Sequence, residues 1–216
     1  MGKRLVLAVT TVIAGAFLLS TAAVAQHGQQ AQQSAPGTIV PGTLLVKALT
    51  ERRVTALPVG RPRLYWRVDT FPSLAQAQAA AGPWAVAAEA FGRAWLFTLG
   101  PNGMPTSGGT KVVEVGPLPP VRAQEYLLRI NEATGAPGSV SSVHTHPGVE
   151  AFYVLVGEAC LRTPNGLIRI PAGQATAGAE ADTPITVASC GSTDLRQLIM
   201  FVVDANRPFS SPAVFP

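Results

Sequence analysis

From residue 93 onward, short runs of apolar and β-branched residues alternate with polar ones and are cut every few positions by Gly, Pro, Asn or Ser. The runs are RAWLFTLG, TKVVEVG, EYLLRI, SVSSVHTH, EAFYVLVGEACLRT, LIRI, PITVASC and LRQLIMFVVD, and the interruptions include GPNG, GPLPP, TGAPG, HPG, TPNG, PAG and CGST. A period of two bounded by turn residues predicts strands. One stretch has helical character: SLAQAQAAA predicts a helix over Ser73–Ala81, with Ser73 as N-cap after a proline and Gly82-Pro83 as the stop. Many short strands at close spacing, in a chain with 21 Gly and 19 Pro, predict an all-β antiparallel barrel or sandwich. No period suggests a repeat protein.

The start of the chain changes the expected compartment. MGKRLVLAVTTVIAGAFLLSTAAVAQ places Lys3 and Arg4 before an uncharged apolar run that closes on Ala23-Val24-Ala25, a small-x-small pattern. Residues 1–25 are expected to be a signal peptide cleaved before Gln26, which puts the mature protein in the periplasm or outside the cell. The alternative is an uncleaved anchor, because the run approaches the ~20 residues of a membrane span. The polar HGQQAQQSAPG that follows favours cleavage, and no stable membrane insertion is expected afterwards. Residues 26–42 resemble a flexible leader, residues 43–109 an N-terminal extension packed on the main fold, and residues 110–216 the barrel.

Without residues 1–25 the 16 Lys/Arg fall to 14 against 12 Asp/Glu, so the net charge is +2 rather than +4. Residues 26–122 hold nine Lys/Arg and four Asp/Glu, whereas residues 123–216 hold five and eight. Arg52, Arg53, Arg61, Arg63 and Arg67 suggest either an anion-binding patch or an arm packed against the acidic half of its own domain. Leu57, Pro58, Leu64, Tyr65 and Trp66 between them favour the second. Nucleic acid is not an expected partner of an exported protein. Cys160 and Cys190 are the only cysteines; an oxidising compartment permits a disulfide, and two separate buried thiols remain the alternative.

Chemistry concentrates in GSVSSVHTHPGVEAFYVLVGE, residues 138–158. On a strand His144 and His146 face the same side, about 6–7 Å apart at the backbone. Pro147-Gly148 turns the chain, and Glu150 on the next strand is placed to face them. Two imidazoles and one carboxylate form a metal site with vacant positions. The other reading is a satisfied polar cluster without a metal. No G-x-S-x-G elbow, P-loop, C-x-x-C or G-x-G-x-x-G after a strand offers a competing chemistry. Trp66, Trp84, Trp95, Phe152, Tyr153 and Phe201 suit a core at least as well as a ligand pocket.

This stretch resembles the first signature of the cupin superfamily, G-x5-H-x-H-x3-E-x6-G, with Gly138, His144, His146, Glu150 and Gly157 at its fixed positions. The resemblance covers roughly residues 110–205. It implies a double-stranded β-helix, the jelly-roll barrel, with the one short helix left in the extension. It also implies a divalent transition metal (Mn, Fe, Ni, Cu or Zn) held by His144, His146, Glu150 and a further histidine from a second signature, G-x5-P-x-G-x2-H-x3-N. That last ligand is missing here. With Pro171-Ala172-Gly173 on the P-x-G, its position becomes Thr176; with Thr183-Pro184 before it, the position becomes Ile185 and Ser189 replaces the Asn. The second placement is preferred, because TPITVAS reads as an inward-facing strand. His27 lies in the leader, and Glu180 and Asp182 lie in an expected loop. Three protein ligands suffice for a catalytic metal.

The expected function is therefore an exported metal-binding cupin, acting as a dioxygenase- or isomerase-like enzyme on a small organic molecule. The alternative is a non-catalytic small-ligand-binding or structural cupin. The expected partners are a small molecule and, as one option, a second copy of the chain.

Overall fold

A computed structural model gives the fold and describes Gly2 and residues 42–58, 63–105 and 108–216. The expected signal peptide, nearly all of the expected leader with His27, and Arg61 lie outside the described residues. Among the described residues no helix is long and apolar enough to cross a membrane.

The strands are β1 (Leu45–Val54), β2 (Tyr65–Phe71), β3 (Ala85–Ala90), β4 (Arg93–Gly100), β5 (Thr110–Val115), β6 (Tyr126–Gly135), β7 (His144–Thr145), β8 (Gly148–Val156), β9 (Glu158–Thr163), β10 (Gly166–Pro171), β11 (Ala175–Ala177), β12 (Thr186–Ser189), β13 (Leu195–Asp204) and β14 (Ser211–Pro212). A single helix, α1 (Leu74–Ala79), lies between β2 and β3. Ser73 caps it as the sequence predicts, its Oγ accepting from the Gln76 amide at 3.3 Å, and it ends at Ala80, before Gly82.

One antiparallel sheet runs β1-β6-β13-β8-β11. A second contains β10-β9-β12, and bridges Val140↔Ala188 and His144↔Ile185 continue it through β7 to β14. From β6 to β13 the chain thus passes back and forth between two facing sheets, with β9 and β10 forming a hairpin within the second, which is the strand order of a double-stranded β-helix. Among the described residues no continuous ladder closes the two sheets into a barrel. A third sheet, β3-β4-β2-β5, covers the outer face of the first. Within the segment expected as an extension, β1 pairs with β6; β5, inside the segment expected as the barrel, pairs with β2 of the covering sheet.

The middle layer is buried on both faces, so β8 and β13 read as nearly continuous apolar runs instead of alternating ones. Along β13, Leu198, Met200 and Val202 pack toward the covering sheet, and Leu195, Ile199, Phe201 and Val203 pack between the two β-helix sheets. Val149 and Ala151 of β8 belong to the first cluster, Phe152 and Val154 to the second. The turn between β8 and β9 needs Gly157: its φ is +76°, and a Cβ there would lie 2.6 Å from the Asp194 carbonyl oxygen.

The run SVSSVHTH forms less strand than its pattern predicts, only His144–Thr145 with a bridge at Val140. Serine and threonine side chains take over ladder bonds there. Val187 N donates to Ser141 Oγ at 3.0 Å, and Thr186 Oγ1 donates to the Ser141 carbonyl at 2.8 Å. The single apolar run EAFYVLVGEACLRT divides at Gly157 into β8 and β9, which lie in different sheets.

Cys160 and Cys190 form a disulfide, with Cα atoms 5.8 Å apart. It ties β9 to the end of β12 across a sequence separation of 30, a constraint on the unfolded chain of about 3.5 kcal/mol. Three arginines of the expected arm, Arg52, Arg53 and Arg67, have intramolecular partners. Arg52 donates to the Gly82 carbonyl at 2.7 Å, and Arg53 pairs with Glu125 at 2.7 Å. Arg67 is buried, holds Asp69 through two nitrogens at 2.8 Å, and donates to the Met104 carbonyl at 2.6 Å.

Candidate metal and ligand site

Between the two β-helix sheets lies a cavity of about 340 Å3 into which His144, His146 and Glu150 project. His144 on β7 and His146 just past its end both line the cavity, and Glu150, on β8, is placed opposite Phe201 of β13, which in turn sits opposite Arg129 of β6. Alternation along β8 turns Glu150 to the same face as Phe152 and Val154. Gly178 packs over it, donating its amide to the Glu150 carbonyl at 2.7 Å; a Cβ on Gly178 would lie 2.9 Å from Glu150 Cγ.

Both imidazoles are oriented by backbone oxygens. His144 Nδ1 lies 2.8 Å from the Ser142 carbonyl and His146 Nδ1 lies 2.6 Å from the Phe209 carbonyl. A carbonyl only accepts, so each Nδ1 carries a proton, and in the neutral ring the free lone pair lies on Nε2, the form that binds a metal. The rings meet edge to face with centroids 5.0 Å apart. His146 is also wedged between Phe201 and Phe209, at centroid distances of 4.9 and 4.7 Å.

His146 Nε2 lies 3.8 Å from Glu150 Oε2. This is too long for a hydrogen bond. Two donors each about 2.1 Å from a shared ion lie about 3.0 Å apart at a right angle and about 4.2 Å apart when opposite, so the pair is in range. No hydrogen bond from a described residue satisfies the Glu150 carboxylate, and burial pushes its pKa up to about 8. Burial likewise pulls His146 down to about 4, assisted by His144 and Arg129 and opposed by the Phe209 carbonyl. Both groups are therefore neutral near pH 7.

The fit to an ion is partial. His146 and Glu150 are spaced for one, and His144 has the right tautomer beside them. Among the described residues, however, no three His, Cys, Asp or Glu side chains are gathered closely enough to hold an ion. Ile185 is the antiparallel partner of His144 across the second sheet, and its buried side chain belongs to the apolar cluster between the sheets. Thr176 lies on β11 opposite Phe152, with its hydroxyl donating to the Ala177 carbonyl at 3.1 Å. Asp182 is on the surface in a bidentate pair with Arg207, and Glu180 is exposed.

Three participants escaped the sequence reading. Phe209 supplies the carbonyl that orients His146, yet NRPFSSPAVFP reads only as a tail. Arg129 stacks its guanidinium 4.1 Å over the Phe209 ring and donates Nε to Asn131 Oδ1 at 2.9 Å. Gln197, buried on β13, also lines the cavity. The signal for Arg129, Asn131 and Gln197 was present in the form of polar residues at inward steps of otherwise apolar strands.

No protein-family model matches the chain, and no curated protein matches it. Solved structures do. A conserved protein of unknown function from Streptococcus pyogenes aligns at 21% identity and TM-score 0.32 over 35% of this chain and 64% of its own, less than two thirds. A cupin superfamily protein from Desulfitobacterium hafniense aligns at 19% identity and TM-score 0.33 over 36% of this chain and 68% of its own. Lactobacillus farciminis oxalate decarboxylase, in its formate complex, aligns at 18% identity and TM-score 0.35 over 39% of this chain and 26% of its own. In its strand order and in the residues of one signature, this chain is similar to the cupin superfamily and has the double-stranded β-helix fold.

Proposed function

We propose that the protein binds a small organic molecule in the cavity between its sheets, and that His144, His146 and Glu150 hold a divalent transition metal, one of Mn, Fe, Ni, Cu or Zn, at one end of that cavity. One observation carries this reading: two imidazoles held with bare Nε2 atoms, one of them 3.8 Å from a buried carboxylate that lacks a hydrogen-bond partner among the described residues. A cation offers that carboxylate the compensation that burial otherwise denies it. Bound there, an ion would supply Lewis acidity toward a carbonyl or enol oxygen, or a position for O2. The chain's own part is to orient the imidazoles, to keep the wall dry through Phe201, Phe209 and Ile185, and to offer Glu150, ionised while it is a ligand, as a proton acceptor once it leaves the ion.

Elemental analysis of protein purified without a histidine tag tests the reading. The expected result is transition metal at up to about one ion per chain, lost in His146→Ala. Metal-free wild type that takes up no ion on titration would reject it.

A second reading, a metal-free binding protein, draws support from Ile185 in the fourth ligand position, with no three-donor group gathered among the described residues. There a neutral Glu150 and His146 would hydrogen-bond the ligand directly.

Export belongs to the same proposal. The Ala23-Val24-Ala25 boundary and a disulfide suited to an oxidising compartment support it. Protein recovered from the envelope of its host is expected to begin at Gln26; full-length chain in the membrane fraction would overturn the assignment.

A further inference from the structure

Gln197 is fully buried on β13, lines the cavity, and has no hydrogen-bond partner for either Oε1 or Nε2 among the described residues. Its position relative to the metal-ligand candidates follows from the register. Phe201 of β13 stands opposite Glu150 and Arg129, whereas Gln197, four residues earlier on the same strand, stands opposite Val154 and Ala133. That separation is roughly 13 Å along a strand. Ile199 lies between them on the same face, and Val187 faces the cavity from the second sheet. The cavity therefore carries polar side chains at both ends, with Ile199 and Val187 between them and Asn131 opposite Ile199.

A buried carboxamide with nothing to bond costs free energy at both of its atoms. What would satisfy it is restricted by its own chemistry. It offers an N–H donor and a C=O acceptor side by side and carries no charge. Arg196, its neighbour on the strand, is exposed, on the opposite face by strand alternation. A carboxylate would leave Oε1 facing another acceptor, and a hydrocarbon would leave both atoms bare. A primary amide or a lactam satisfies both, its N–H donating to Oε1 and its C=O accepting from Nε2.

We propose that Gln197 is the specificity-determining residue of the cavity and that it selects a small molecule with a primary-amide or lactam group at the end remote from His144, His146 and Glu150. This deepens the reading of the cavity as a small-molecule site and rests on it.

The probes are the monoamides of the linear dicarboxylic acids from succinic to suberic, each compared with its monomethyl ester, which keeps the carbonyl and lacks the N–H. Binding is measured by titration calorimetry on the full mature chain, before and after loading with Zn2+ or Mn2+. Wild type is expected to prefer the amide of the best-fitting length by at least about tenfold over its ester. In Gln197→Met, of similar volume, the ratio is expected to fall to about one. Because Met also removes two unsatisfied polar atoms, the variant should melt no lower than wild type.

Equal binding of amide and ester by wild type, binding of neither at any chain length, or a ratio unchanged in Gln197→Met would overturn the assignment. Failure of the metal reading would look different: the amide preference would persist while affinity stayed indifferent to the added ion.

Discussion

His146 donates its Nδ1–H to the backbone carbonyl of Phe209, 63 residues later in the chain, at 2.6 Å. The C-terminal segment thereby sets the tautomer of a histidine that the β-helix strands merely position. It does so while β14 pairs with β7 beside it, Ser211 opposite Thr145 and Pro212 opposite His144.

Nitrogen-15 NMR of the metal-free protein near pH 7 should therefore show His146 as the neutral Nδ1–H tautomer. Phe209→Ala keeps the carbonyl but removes ring contacts with His146, Phe201 and Arg129, and should cost about 2 kcal/mol in denaturant unfolding. A His146 ring found protonated on Nε2 would contradict the anchoring.

The pH dependence of metal-free stability follows from two opposed shifts. His146, lowered to about 4 when folded, binds a proton more readily in the unfolded chain, so stability falls as pH drops below its ordinary 6.5 toward 4. Glu150, raised to about 8, binds its proton more readily when folded, so stability falls as pH rises from its ordinary 4.5 toward 8. Between about 4.5 and 6.5 the two oppose each other, and above 6.5 the glutamate alone acts. Thermal melts of the apo protein should thus decline from pH 6.5 to 8, and Glu150→Gln should flatten that decline. A wild-type melting temperature that rises over the same interval would contradict the burial of Glu150.

Asp69 and Arg67 form an ion pair inside the covering sheet, 1% and 7% exposed. Asp69→Ala leaves a buried guanidinium without its carboxylate and should cost about 3–5 kcal/mol. A loss below about 1 kcal/mol, the range of surface pairs, would show that water reaches Arg67.

Reduction of the Cys160–Cys190 bridge should add the mass of two hydrogens and lower stability by about 3 kcal/mol. Two thiols freely alkylated in the native, oxidised protein would remove the bridge.

The β-helix was legible because its signals are local. Alternation, turn residues and the spacing of His144, His146 and Glu150 lie within short windows, and β8, β9, β10, β12 and β13 fall close to where these signals put them, whereas β11, only Ala175–Ala177, was not among the predicted runs. β1 was not legible: LVKALTERRV carries mixed polar and apolar residues suited to an exposed edge, and it becomes a strand by pairing with β6. β7 was overread because backbone ladder bonds yield there to Ser141 and Thr186. The site was half legible. Its ligand candidates are spaced by strand geometry, but the Phe209 carbonyl, the Gly178 lid over Glu150 and the unpartnered amide of Gln197 arise only when distant segments meet.

The most direct test of the metal assignment is calorimetric titration of the apo protein with Zn2+ or Mn2+, wild type beside His146→Ala, with melting temperatures taken in parallel. The account predicts about one ion per wild-type chain and a raised melting temperature, since a ligand of the folded state alone stabilises by about 2.7 kcal/mol at a hundredfold excess over Kd. Affinity in His146→Ala should fall by more than the roughly 10–100-fold typical of an outer-shell change. Wild type that binds no ion, and that melts at the same temperature as His146→Ala with and without metal, would contradict it.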